Sequence, residues 1–304
     1  MQSDLNELNI DKVIIWGIKS HYHSHYFIHQ SFYNNFKKLN IKTLWLEDNL
    51  INNKYIDEKS LVIAINICSK FLNLNKQAMY CLHNFYDQDI KSLPFERYIN
   101  LQVITEELVN KYYDKSILLS GLSFYNSEFN TLFQSWGCPL QKKEFFSPKF
   151  ASSNIEFFIG SIWNNDLNQG NINEIHEYRQ YLNEKKVRFI HCKNLPEKLS
   201  PYYIRESKYA ASILGNWQKK NGYTPCRVFK AIGYGKLGIT NSKISSTLYP
   251  FLKYKESIGE IIDYLNSLDE ERYIEIVNEQ QNKLVYETYE YKIKNIVNAF
   301  KSKK

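Results

Sequence analysis

The chain has 304 residues, 43% hydrophobic and 23% charged, proportions that suit a soluble globular protein with room for two domains of ordinary size. Its net charge of +7 suits an anionic partner, a class that includes nucleotide diphosphates, acidic glycans, membrane surfaces and nucleic acid. Five cysteines without paired spacing argue against a disulfide framework or a zinc knuckle, and no apolar run approaches the roughly 20 residues of a membrane-spanning helix.

The opening stretch "MQSDLNELNIDK" is polar and acidic, unlike a secretory signal or transit peptide, so a cytoplasmic location is expected. Short apolar runs then alternate with helical patterns. Strands are expected at "VIIWGI" (13–18), "TLWLE" (43–47), "LVIAINI" (61–67), "MYCLHNF" (79–85), "LQVIT" (101–105) and "ILLSGL" (117–122). Between the first two, "FIHQSFYNNFKKLN" sets Phe27, Ile28, Phe32 and Phe36 on one helical stripe. Several runs are continuously apolar, as parallel strands covered on both faces require. Cys68, Cys81 and Cys192 fall in such runs and read as buried small hydrophobes.

The looser segment 133–154, with Pro and Ser, marks a boundary between domains 1–150 and 151–304. The pattern restarts with "FFIGSIW" (157–163), a helix through "INEIHEYRQYLNEKK", the strand "VRFIHC" (187–192), a helix at "SPYYIRESKYAAS" and the strand "SILGNW". From about Ile258 onward the tail is helical. The fold class is therefore α/β, with two Rossmann-like domains and a C-terminal helical tail.

One segment carries most of the chemistry. In "NGYTPCRVFKAIGYGKLGITNS" (221–242), Thr224 suits a helix N-cap and Pro225 the first helical position. Val228, Phe229 and Ile232 share the face that reads as buried, while Arg227 and Lys230 lie on another. Free amides and two cations at a helix start are chemistry for a phosphate.

These residues, together with the long helical tail, resemble the C-terminal half of GT-B-fold glycosyltransferases, most nearly the spore-protein-type, glycosyltransferase-family-1-like group. "FFIGSIW" resembles the first strand and loop of the donor domain, and "SHYFIHQSFYNNFKKLNIKTLWLED" the acceptor-side opening. The resemblance implies two Rossmann-like domains facing a cleft, a C-terminal domain that holds a nucleotide-sugar donor, and a last helix that crosses back. Many relatives carry a Glu that meets the donor ribose where this chain has Lys230, so ribose contact and stereochemistry are left open.

The expected activity is a hexosyltransferase-type, metal-independent transfer of a sugar from a nucleotide-sugar donor to a glycan or other hydroxyl acceptor. Donor binding is assigned to Ser161, Trp163, Gly215, Trp217, Tyr223, Thr224, Arg227 and Lys230, with fixed cations and amides stabilising the leaving diphosphate. The acceptor base is sought among His25, His29 and the strand-end acid Glu106, with Glu107 and Asp87 behind them. His83 and Asn84 close the same strand end as Asp87. His21, His23 and His25 stand at alternate positions, yet no nearby carboxylate or Cys completes a zinc site. No cofactor beyond the nucleotide-sugar co-substrate is expected, no specific nucleic-acid partner, and peripheral membrane association is compatible with the charge. Two rivals stand beside this reading: a polyol-phosphate transferase on the same fold, and a non-catalytic RNA- or glycan-binding module using a basic, tyrosine-rich surface. A nicotinamide dehydrogenase and a P-loop ATPase are disfavoured, because neither G-x-G-x-x-G nor G-x-x-x-x-G-K-[ST] occurs.

Overall fold

The computed structural model describes residues 1–17, 19, 24–47, 53–65, 74–83, 95–151, 153–193 and 195–303, and only the backbone of Ser24, His25 and Ile65. The chain is an α/β protein with two compact units. One comprises 1–104, 110–134 and 289–304; the other comprises 105–109 and 135–288.

The first unit begins with a short helix α1 (Gln2–Glu7), followed by β1 (Lys12–Trp16), α2 (Ser24–Lys38), β2 (Thr43–Leu46), β3 (Ser60–Ile65), β4 (Met79–His83) and β5 (Arg97–Gln102). After α3 (Glu106–Tyr112) come β6 (Ile117–Leu118), β7 (Phe124–Asn126) and β8 (Thr131–Phe133). The sheet order is β2-β1-β3-β4-β5-β8-β7-β6, parallel as far as β8 and antiparallel across the last two pairs. Val13, Ile14 and Ile15 are fully buried, which explains why β1 is apolar without alternation. Of the stripe on α2, Ile28, Phe32 and Phe36 are buried and Phe27 is half-buried.

The order reverses between β1 and β3, the position where open α/β sheets place ligands beyond their strand ends. The segments that follow those strands, 20–23 and 66–73, lie outside the described residues, and so do His21, His23, Cys68, Asn84 and Asp87. Gly17, at the end of β1, has φ +147°, and a β-carbon there would lie 2.3 Å from Cε1 of His29. The imidazole fills the space that a side chain at 17 would need.

Two strands differ from expectation for visible reasons. The run "LQVIT" ends early because the Thr105 hydroxyl accepts from Leu108 N–H at 3.4 Å, opening α3. Glu106 and Glu107 are thus first-turn helix residues instead of strand-end acids. "ILLSGL" yields only the two-residue edge strand β6, with both side chains exposed.

The second unit comprises β9 (Ile155–Ile159), α4 (Ile172–Glu184), β10 (Arg188–Cys192), α5 (Ser200–Glu206), α6 (Asn216–Asn221), α7 (Cys226–Gly233), β11 (Ile239–Thr240), α8 (Lys243–Leu248), β12 (Lys253–Tyr254), α9 (Ile258–Ser267) and α10 (Glu270–Leu284). β9 pairs with β10 and β11 with β12, all parallel, while an isolated parallel bridge joins Ser212 to Thr240. Its core gathers Phe158, Tyr178, Ile213, Ile239, Ile262, Tyr273 and their neighbours. The final helix α11 (Tyr289–Lys301) belongs to the first unit. There Tyr289 meets Phe32 edge to face at 4.9 Å, and Lys301 pairs with Asp4 at 3.0 Å and Glu7 at 2.8 Å.

Gly17→Ala is expected to lower stability by about 2 kcal/mol or more, from the positive φ and the His29 ring together. His29→Ala in the same chain should restore only the steric part. Urea denaturation of the two single variants and the double variant checks this; strictly additive losses would show that the ring and the glycine do not interact.

Candidate functional site

Along β9 the side chains alternate, so Glu156, Phe158 and Gly160 share one face. Glu156 is buried at 1% exposure, where a bare carboxylate would be costly. Three groups meet it: Tyr178 donates its hydroxyl at 3.0 Å, Tyr209 its N–H at 2.8 Å, and Ala210 its N–H at 3.1 and 3.2 Å. Burial raises its pKa against the pull of these bonds. The fully buried Lys236 is nearby, donating to Ser207 O at 2.8 Å and Lys149 O at 3.3 Å, and burial pulls its pKa down to about 8. Ala210 adopts φ +53°. Of the expected strand at 212–217 only the single bridge at Ser212 forms: Leu214 N–H donates to Oδ1 of Asn241 at 2.8 Å, Gly215 N–H to Oε1 of Gln218 at 3.2 Å, and Asn216 already opens α6.

Gly160 ends β9 with φ +146°, and a β-carbon there would lie 3.0 Å from Nη1 of Arg227. The Arg227 guanidinium stacks over the Phe158 ring at 4.5 Å and donates once, from Nη2 to Ile213 O at 3.1 Å. Its buried Nε has no partner, and no carboxylate among the described residues lies within ion-pair distance. Burial lowers its pKa to about 10, so it stays a cation at neutral pH. On the other strand, the exposed His191 ring bonds through Nε2 to Gly160 O at 2.8 Å and sits 5.9 Å from Phe158.

The loop from Ser161 to Asn171 is fastened to the start of α4 by one amide side chain. Asn171 donates through Nδ2 to Ser161 O at 3.1 Å, and its Oδ1 accepts from Trp163 N–H at 3.1 Å. With that side chain committed to the loop, α4 has no side-chain cap on its first-turn amides. This arrangement combines a packed but unneutralised cation, an exposed imidazole and a free helix start at the carboxyl ends of parallel strands. Its chemistry suits an anion.

The expected donor-side residues divide accordingly. Ser161 is exposed at the end of β9, and Trp163 and Trp217 are each 42% exposed. Gly215 caps α6, and a β-carbon there would lie 2.1 Å from Gly170 O. Tyr223 is half-buried, 6.3 Å from the Trp217 ring. Helix α7 starts one residue later than expected, with Pro225 at the cap position; the Thr224 hydroxyl is buried and donates instead to Ser245 Oγ at 2.9 Å. The second face of α7 is packed too, because Ala231 and Tyr234 are buried. Lys230 is bound to Glu197 at 2.9 and 3.0 Å; burial pulls the lysine's pKa down most strongly, but Glu197's charge and hydrogen bonds together with Cys226 and Cys138 raise it overall. Its cation therefore already has a counter-ion.

On the acceptor side, His29 is wholly enclosed in the first unit, 6.4 Å from the Trp45 ring. His25 lies in the first turn of α2, its side chain outside the described residues, and His83 is buried at the end of β4. Glu106 belongs to the second unit, its backbone N 3.2 Å from where a β-carbon on Gly222 would stand. Among the described residues no three His, Cys, Asp or Glu side chains gather as a metal site, and no helix is long and apolar enough to cross a membrane. Sequence reasoning passed over Glu156, Lys236 and His191. An acid inside the otherwise apolar "IEFFIG" was the available signal for the first.

No protein-family model and no curated protein matches the chain. Among solved structures, the N-terminal domain of trehalose-6-phosphate phosphatase from Candida albicans aligns over 95% of this chain and 97% of that one, at 6% identity and a TM-score of 0.47. A similarity of that depth fixes neither fold nor activity.

The buried pair makes stability depend on pH with a definite sign. Between about pH 8 and the ordinary lysine value of 10.5, the unfolded chain holds a proton at Lys236 that the folded chain lacks, so this residue's cost fades as pH rises. Wild-type protein should therefore gain stability relative to Lys236→Met from pH 8 to 10, read from urea midpoints. A difference that stays constant would show that Lys236 does not titrate there.

Proposed function

We propose that the second unit binds the phosphates of a nucleotide-linked substrate and that the protein is a glycosyltransferase using a nucleotide-sugar donor without a bound metal. The carrying observation is Arg227: a guanidinium held over Phe158 at the end of β9, donating to the Ile213 carbonyl and ion-paired with no carboxylate among the described residues. A planar fork with open donors matches phosphate oxygens two at a time. In this reading Arg227 and the uncapped start of α4 take the charge that grows on the leaving diphosphate, the step at which such contacts count most. Trp163 and Trp217 offer faces for a base or sugar ring. Lys230 plays a secondary part, steadying α7 through Glu197.

A phosphate role for Arg227 predicts that Arg227→Ala weakens binding of nucleoside diphosphates by about 2 kcal/mol, roughly thirtyfold in Kd. Arg227→Lys should recover part of that, since a point charge cannot copy the fork. Lys230→Ala should change affinity far less, because Glu197 already holds that charge. Calorimetric titration of ADP, GDP and UDP in the presence of EDTA measures all three, with melting temperature as the folding control. Equal affinity in wild type and Arg227→Ala would remove the main support for a transferase.

A further inference from the structure

We propose that His191 reads a ring hydroxyl of the ligand whose phosphate Arg227 holds, a role that rests on the phosphate reading above. The Gly160 carbonyl oxygen can only accept, so His191 must carry its hydrogen on Nε2 to make the 2.8 Å bond. In the neutral ring this leaves Nδ1 as a lone-pair acceptor. The ring is exposed, and no other side chain or backbone group among the described residues takes that nitrogen.

Position links the imidazole to the cation. Gly160 lies between them: its carbonyl accepts from His191, and a β-carbon on it would stand 3.0 Å from Nη1 of Arg227. Both groups also neighbour Phe158, Arg227 at 4.5 Å and His191 at 5.9 Å between ring centres. The two are opposite in hydrogen-bonding sense. Toward a ring whose Nδ1 carries a lone pair, an ionised phosphate oxygen has no hydrogen to give, whereas a hydroxyl has one. A ligand with a phosphate and a hydroxylated ring beside it supplies both. That hydroxyl belongs either to the ribose of the nucleotide or to the transferred sugar.

Titrations of inorganic pyrophosphate, of ADP, GDP and UDP, of the tightest binder's 2′,3′-dideoxy form and of its glucose conjugate distinguish these sources. In His191→Phe, pyrophosphate affinity should stay within about twofold, while the hydroxyl-bearing ligand loses about fivefold to tenfold. His191→Gln retains an amide acceptor and should lie between the two. A loss that vanishes with the dideoxy nucleotide assigns the hydroxyl to ribose; one that appears only with the glucose conjugate assigns it to the sugar. His191→Phe that weakens pyrophosphate as much as every other ligand, or that weakens none, overturns the role of His191 alone. Wild-type protein that binds neither pyrophosphate nor any nucleoside diphosphate overturns the phosphate reading and this one with it.

Discussion

The buried carboxylate of Glu156 organises the second unit. A carboxylate in an apolar core is tolerated only when its oxygens are met, and here a tyrosine hydroxyl and two consecutive amides meet them. Each of those bonds constrains a different part of the unit. Tyr178 ties α4 to β9, and the Tyr209 and Ala210 amides bend the chain into a left-handed residue before the stretch that carries Ile213. Because side chains on a strand alternate, fixing Glu156 inward also fixes Phe158 and Gly160 on the same face. Arg227 then has an aromatic face beneath it and a carbonyl beside it. The carboxylate nearest to this region is engaged with its own donors, which leaves the guanidinium charge open to a ligand.

The same helix shows how differently two cations one turn apart can be used. Arg227 and Lys230 look equivalent in the sequence, both on the polar side of a short amphipathic segment. Their partners come from elsewhere: Phe158 and Ile213 for the arginine, Glu197 for the lysine. A salt bridge spanning 33 residues leaves no mark on local periodicity. Candidate cations can thus be read from spacing, but which of them stays available depends on tertiary neighbours.

The strands of the first unit were legible because parallel strands buried on both faces are continuously apolar, and "VIIW" and "LVIAI" are that kind of run. Helix α2 was legible from its phenylalanine stripe. Illegible were features set by polar side chains acting at a distance. Thr105 turned an expected strand end into a helix start, and the side chains of Asn241 and Gln218 took amides that would have built a longer strand at 212–217. The two strands of the β7–β8 hairpin, three residues each, are too short to carry a period. Of the donor-side residues, Arg227 was visible as a cation at a helix start, whereas His191 resembled any histidine in an edge-exposed strand.

The first strand of each unit ends in the same backbone device. Gly17 has φ +147° and Gly160 has φ +146°, conformations that side-chain-bearing residues rarely adopt. In each case a side chain from a helix stands where a β-carbon would point: the His29 ring occupies that space in the first unit, and the Arg227 guanidinium comes within 3.0 Å of it in the second. The consequences differ with the chemistry of the filler. An imidazole is small enough to be enclosed completely, and His29 is buried at 0% exposure. A guanidinium carries a fixed charge and five donors, which one carbonyl and one aromatic face do not exhaust. The glycine in the first unit therefore serves packing. The one in the second holds a cation at a strand end with most of its hydrogen-bonding capacity unspent, and that difference is why the ligand argument belongs to Arg227 and not to His29.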